Sequence, residues 1–125
     1  MSITHDDLYK LGQSLESDDS ELAWRASTSR TYYAAYHRGL ESVIHCPDNS
    51  NQKMGSHERL TNRFDLHGAK GARAISYVLL AMKRVRHIAD YEIADHFDKG
   101  LATTQLSQYK TLVDRFNSFD KECSK

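Results

Sequence analysis

The chain has 125 residues, of which 39% are hydrophobic and 27% charged, the balance of an ordinary globular protein of one-domain size. Seventeen basic and seventeen acidic side chains cancel with histidines neutral, which excludes the polycationic character of a protein that coats nucleic acid broadly. With one proline, six glycines, seven tyrosines and four phenylalanines, the chain has too much apolar side-chain surface for a collagen-like or disordered one.

The longest mostly apolar run, Ala74 to Met82, falls far short of the ~20 residues that cross a bilayer, so no membrane span is expected. Met-Ser-Ile-Thr-His-Asp-Asp at the start has neither the basic region nor the apolar stretch of a signal peptide, and a cytoplasmic location is expected. Cys46 and Cys123 are too few for a disulfide scaffold and read as ordinary thiols.

Residues 1–125 read as a single helical domain. Thr4 can cap a first helix, Asp6 and Asp7 suit its positive end, and Ile3 can staple to Leu8; Leu8, Leu11 and Leu15 then share a face. Ser17-Asp18-Asp19-Ser20 interrupts the pattern, and Asp18 with Glu21 resembles a variant capping box that starts a second helix. Along that helix Leu22, Ala26, Ser29, Tyr33, Tyr36, Leu40 and Val43 alternate spacings of four and three, the pattern of a core stripe. Pro47 stops it, and a loop runs to about Gly55.

Ser56 can cap a short helix to Phe64 or Leu66, with Gly68 and Gly71 marking a break. Ile75, Val78, Met82, Val85 and Ala89 predict a further long helix from Ala72, and Leu106, Tyr109, Val113 and Phe116 a last one capped by Thr103 or Thr104. No stretch alternates with period two. The fold class expected is all-α, an antiparallel bundle of four principal helices plus a short one.

Charge is uneven despite the zero sum. Asp6, Asp7, Glu16, Asp18, Asp19 and Glu21 face only Lys10 as a base in the first 21 residues. Between Lys53 and Asp90 the bases Lys53, Arg59, Arg63, Lys70, Arg73, Lys83, Arg84 and Arg86 outnumber Glu58, Asp65 and Asp90. Such a segment can present a phosphate-binding surface, or it can be solvated helix faces with Arg86 and Asp90 paired at i,i+4.

Arg30 and His37 stand seven residues apart, roughly 700° of helical turn, and so share a face. Ala23, Ser27, Ala34 and Ile44 flank them, a composition that suits close approach of another helix. Arginine binds phosphate bidentately and histidine exchanges a proton near neutral pH, so the pair can cleave RNA without a metal. The alternative is a surface cation and a hydrogen-bonded edge histidine. Tyr33, Tyr36 and Tyr109 lie on apolar stripes and are expected to pack, whereas Tyr32 and Tyr91 are freer to stack on unpaired bases.

Metal chemistry finds little support. Glu41 to His45 and Glu92 to His96 are one residue too long for the Glu-x-x-His pairs of carboxylate bundles. His45, Cys46 and His57 lack a four-ligand zinc spacing, and no glycine-rich phosphate loop occurs. Neither a metal nor a cofactor is expected.

The run Ser29-Arg30-Thr31-Tyr32-Tyr33-Ala34-Ala35-Tyr36-His37, with Trp24 to Thr28 before it, resembles the SRxYYAxFH helix of small bacterial HEPN-domain proteins. Arg86-His87-Ile88-Ala89-Asp90-Tyr91 resembles their RxxADY segment, in the expected order and separation. The resemblance implies a dimerising helical bundle, commonly a metal-independent endoribonuclease of toxin–antitoxin, phage-defence or related systems. It implies Arg30 and His37 as the Arg-x6-His catalytic pair and draws attention to Tyr91; Arg86 with Asp90 is then a supporting pair that orients the site or binds RNA, and Tyr32 remains a further RNA-binding candidate. In many ribonuclease members the signature lies on the later helix; here that helix carries Arg86, with His87 adjacent and His96 too distant. The other implied possibility is a non-catalytic module that partners an antitoxin or a nucleotidyltransferase.

Overall fold

The computed structural model describes residues 2–51 and 53–125. The described residues form five α-helices: α1 (His5–Glu16), α2 (Glu21–Ser42), α3 (Ser56–His67), α4 (Lys70–Tyr91) and α5 (Lys99–Cys123), with a 3-10 turn over Val43–His45 and no strand among them. The all-α expectation holds. None of these helices is long and apolar enough to cross a membrane.

Helix ends follow from local chemistry, with four corrections. Thr4 and Asp7 form a full capping box: the Asp7 N–H donates to Thr4 Oγ1 at 3.2 Å and the Thr4 N–H to Asp7 Oδ2 at 2.8 Å. At the start of α2, Ser20 rather than Asp18 is the cap, accepting from the Ala23 N–H at 3.0 Å. Gly55, not Ser56, precedes α3. Asp98, not Thr103 or Thr104, caps α5, and its carboxylate accepts from the Gly100 N–H at 3.1 Å. Gly68 closes α3 at φ 80°, a left-handed conformation natural to glycine, whereas Gly71 lies inside the first turn of α4.

The inner face of α2 is rotated from the expected stripe. Leu22 is 80% exposed and Leu40 is also exposed, while Ser27, Thr28, Thr31, Tyr32, Ala34, Ala35, Arg38 and Ser42 are buried. The reason is that α1, α4 and α5 all pack on α2, so more than one stripe must be covered, and close approach selects small side chains over large apolar ones. The α1 contact is the tightest: Ser27 Oγ donates to the Gly12 carbonyl at 2.7 Å, and a Cβ at Gly12 would collide with Thr31 Oγ1. Tyr9 and Gly12, rather than Leu11, therefore form the buried side of α1.

One apolar core draws on every helix, including Tyr9, Ala35, Phe64, Ile75, Leu79, Met82, Leu112 and Phe116. Several buried polar groups inside it pair across helices. Gln105 Nε2 on α5 donates to the Met82 carbonyl on α4 at 2.9 Å. Arg38 on α2 lies over the Phe116 ring and donates to Ser42 Oγ at 2.7 Å, Asn117 Oδ1 at 3.0 Å and Asp120 Oδ2 at 3.0 Å. Arg25, also buried, donates to the carbonyls of Ile88, Ala89, Glu92 and Asp95 and so ties the C-terminal end of α4 to α2. Its partner Glu21 accepts from the Phe97 N–H at 2.6 Å, which, with Arg25 beside it, holds the Glu21 carboxyl below the usual range.

Candidate functional site

Helices α3 and α4 converge on the tyrosine-rich half of α2. Tyr32 and Tyr36, four residues apart, stand one above the other on the side that meets α3, and Tyr33 turns toward α4. Tyr32 is only 2% exposed, which corrects the expectation that its ring is free to stack on a base. Tyr33 and Tyr36, expected to be core, are only partly buried and remain accessible. The two roles are exchanged because α2 is rotated.

Arg86 of α4 lies over both Tyr32 and Tyr33, its guanidinium carbon 5.2 and 5.8 Å from the ring centroids. Arg30 approaches Tyr33 at 5.5 Å, so two guanidinium groups share one ring, an arrangement that cation–π attraction stabilises. Arg86 Nη1 pairs with Asp90 Oδ2 at 3.6 Å, and the same oxygen accepts from Ser29 Oγ at 3.2 Å. The Arg86–Asp90 pair thus spans α4 to α2 and orients the guanidinium. Arg30 itself is exposed.

His37 is exposed, with its ring edge-on to Tyr36 at 5.3 Å. It borders an open groove of about 510 Å³ that it shares with Ile3, Thr4, His5, Leu8 and Glu41. His5 bridges this region, its Nδ1 2.9 Å from the Tyr109 hydroxyl and its Nε2 3.2 Å from Glu41 Oε2. Arg30 and His37 lie on the same side of α2 but about 10 Å apart along the helix, so within one chain they make no joint contact. Tyr91, at 65% exposure, lies tilted against His87 with ring centroids 4.8 Å apart and stands apart from the tyrosine cluster of α2.

His57, on the first turn of α3, completes the cluster. Its Nδ1 is 2.7 Å from the Tyr32 hydroxyl, and its ring centroid is 4.3 Å from that of Tyr36. Burial, with Arg86, Lys83 and His37 nearby, lowers its pKa, so the neutral imidazole is favoured. Burial likewise raises the pKa of the Tyr32 hydroxyl and keeps it protonated. His57 gave no signal in the sequence beyond its place in a poor zinc spacing, because its partners are 25 and 21 residues away on another helix. Among the described residues no group of three or more His, Cys, Asp or Glu side chains is gathered as a metal site.

The basic segment between Lys53 and Asp90 is less available than its composition suggests. Arg59 donates to the carbonyls of Asn51 and Met54, and Arg63 to those of Pro47 and Cys46, so both secure the loop before α3. Arg73 and Arg84 remain exposed, with Lys83 half-buried beside the cluster. Comparison with family models, curated proteins and solved structures gave no significant match.

Proposed function

We propose that the protein is a metal-independent endoribonuclease of the HEPN type, an antiparallel helical bundle that acts as a homodimer. The observation that supports this most is the surface of α2, where Arg30, Tyr33, Tyr36 and His37 are side by side and Arg86 is braced by Asp90 over Tyr33. Guanidinium groups next to accessible tyrosine rings suit an unpaired RNA strand, with Arg for the phosphate and the ring for a base. Arg30 binds and neutralises the scissile phosphate, and His37 transfers a proton at it. The 2′-hydroxyl attacks phosphorus, the bond to the 5′-oxygen breaks, and the products carry a 2′,3′-cyclic phosphate and a 5′-hydroxyl.

Dimerisation supplies what one chain lacks. Two α2 helices running antiparallel across a two-fold axis bring Arg30 of one protomer toward His37 of its partner, and the exposed Leu40 and Ile44 beyond His37 offer apolar surface for that contact. Incubating the protein with single-stranded RNA in EDTA tests the proposal. Cleavage by the wild type, lost in Arg30→Ala and in His37→Ala while the helical circular dichroism persists, is expected. Undiminished cleavage in either variant overturns the site. A dimer that binds but never cleaves RNA favours the non-catalytic module that serves an antitoxin or nucleotidyltransferase.

A further inference from the structure

We infer that His57 is a second catalytic histidine, the base that accepts the 2′-hydroxyl proton, and that Tyr32 is its positioning residue. The inference rests on the endoribonuclease reading above and extends it to a helix on which that reading assigns no residue. His57 comes from α3, yet its ring is packed among Tyr32, Tyr33 and Tyr36 of α2, at 5.4, 5.6 and 4.3 Å between centroids. Tyr36 touches both imidazoles, at 5.3 Å for His37 and 4.3 Å for His57, so one ring separates two proton-transfer groups. Arg86 lies over Tyr32, the ring whose hydroxyl meets His57.

A base in this reaction must be neutral and must present a free ring nitrogen. Partial burial disfavours the imidazolium of His57, and so do the cationic Arg86 and Lys83 of α4 that face it, with the His37 ring of α2 beside them. The Tyr32 hydroxyl, itself held protonated, can accept from Nδ1–H and so fix the tautomer that leaves Nε2 for the substrate. The proton then passes from the 2′-hydroxyl to Nε2 as the 2′-oxygen–phosphorus bond forms. His37 gives a proton to the 5′-oxygen as its bond to phosphorus breaks. Charge and protons balance without a metal or any further reactant.

His57→Gln is expected to lower kcat at pH 7 on the order of 100-fold with KM changed only a few-fold, the size general base catalysis commonly supplies. Tyr32→Phe is expected to lower kcat less and to leave a pH profile of the same form. Lys83→Met, which removes a charge facing the imidazole, should move the acidic limb of the pH–rate profile to higher pH, a change that a purely structural His57 would not produce. If the wild type cleaves and His57→Gln keeps kcat within about threefold, His57 is not the base, and the endoribonuclease reading survives without it. An independent readout on the wild type is the His57 imidazole signal by NMR, titrated with and without uridine 3′-monophosphate. The nucleotide should raise the titration midpoint, because a phosphate dianion stabilises the imidazolium. If the wild type cleaves no RNA, the reading fails; an unmoved His57 midpoint then overturns its placement at the phosphate as well. The NMR arm also decides the matter should His57→Gln fail to fold.

Discussion

Arg25 of α2 and Ala89 of α4 are joined by a hydrogen bond of 3.0 Å from Nη1 to the carbonyl oxygen, and the same guanidinium reaches the carbonyls of Ile88 and Glu92 at 3.3 and 3.2 Å. The last carbonyls of a helix lack a partner from a following turn, and Arg25 supplies one to Ala89 from outside while adding a second to Ile88 and Glu92, whose carbonyls also accept from the Glu92 and Asp95 N–H groups. The same end of α4 carries Asp90 and Arg86, which meet Ser29, Tyr32 and Tyr33.

Arg25→Met should therefore destabilise the fold by about 3 kcal/mol, since it leaves buried carbonyls and Glu21 without their charged partner. Urea denaturation followed by circular dichroism checks this. A loss under about 1 kcal/mol would show that the guanidinium is replaceable by water.

Gly12→Ala should destabilise by about 1–2 kcal/mol even though alanine is the better helix former, because the new methyl meets Thr31 Oγ1 and the Ser27 carbonyl. The Thr31 hydroxyl has no hydrogen-bond partner among the described residues, so Thr31→Ala should itself be mild and should recover most of the loss in the double variant. Additive losses in the cycle would mean that α1 shifts rather than collides.

How much of this was legible in the sequence depended on whether the deciding contact was local. Thr4 with Asp7, and Gly68, mark their helix ends through groups three residues away or less, and each stands where the chain pattern puts it. The inner face of α2 was not legible, because three helices cover it and the closest of them approaches through Gly12, so Ser27 and Thr31 go inside while Leu22 goes out. Arg25 and Arg38 carry no local signal of their roles, since only the tertiary fold brings them to carbonyls and to Asp120. The shared face of Arg30 and His37 follows from their spacing along one helix. The surroundings of His57 do not follow from its own segment, since the tyrosines that define them lie on α2.

Stability should depend on pH through His57. Its folded pKa lies below the ordinary imidazole value of 6.5, so protons bind the unfolded chain more readily than the folded one. The contribution of the neutral ring is thus fully present above pH 6.5 and declines as pH falls below it. The difference in melting temperature between wild type and His57→Gln should shrink on going from pH 8 to pH 5. A difference that grows on acidification would mean that the folded state favours the charged ring.

Subunit exchange tests how Arg30 and His37 meet. In the proposed dimer, mixing Arg30→Ala with His37→Ala chains should form heterodimers in which one site regains an intact Arg30 and His37 from opposite protomers, while the other loses both. Cleavage should partly return. If heterodimers form and the mixture stays as inactive as either variant, the pairing across the axis is wrong. Sedimentation at micromolar concentration sets the premise: a dimer is expected, and a strict monomer at near-physiological salt contradicts it.

The most direct measurement is the chemical identity of the RNA ends produced by the purified protein in excess EDTA. Attack by the neighbouring 2′-hydroxyl, with Arg30 on the phosphate and His37 at the leaving oxygen, predicts 2′,3′-cyclic phosphate and 5′-hydroxyl termini, absent from the Arg30→Ala and His37→Ala digests. The account is contradicted if EDTA abolishes cleavage, or if the fragments carry 5′-phosphate and 3′-hydroxyl ends, which require attack by water rather than by the ribose.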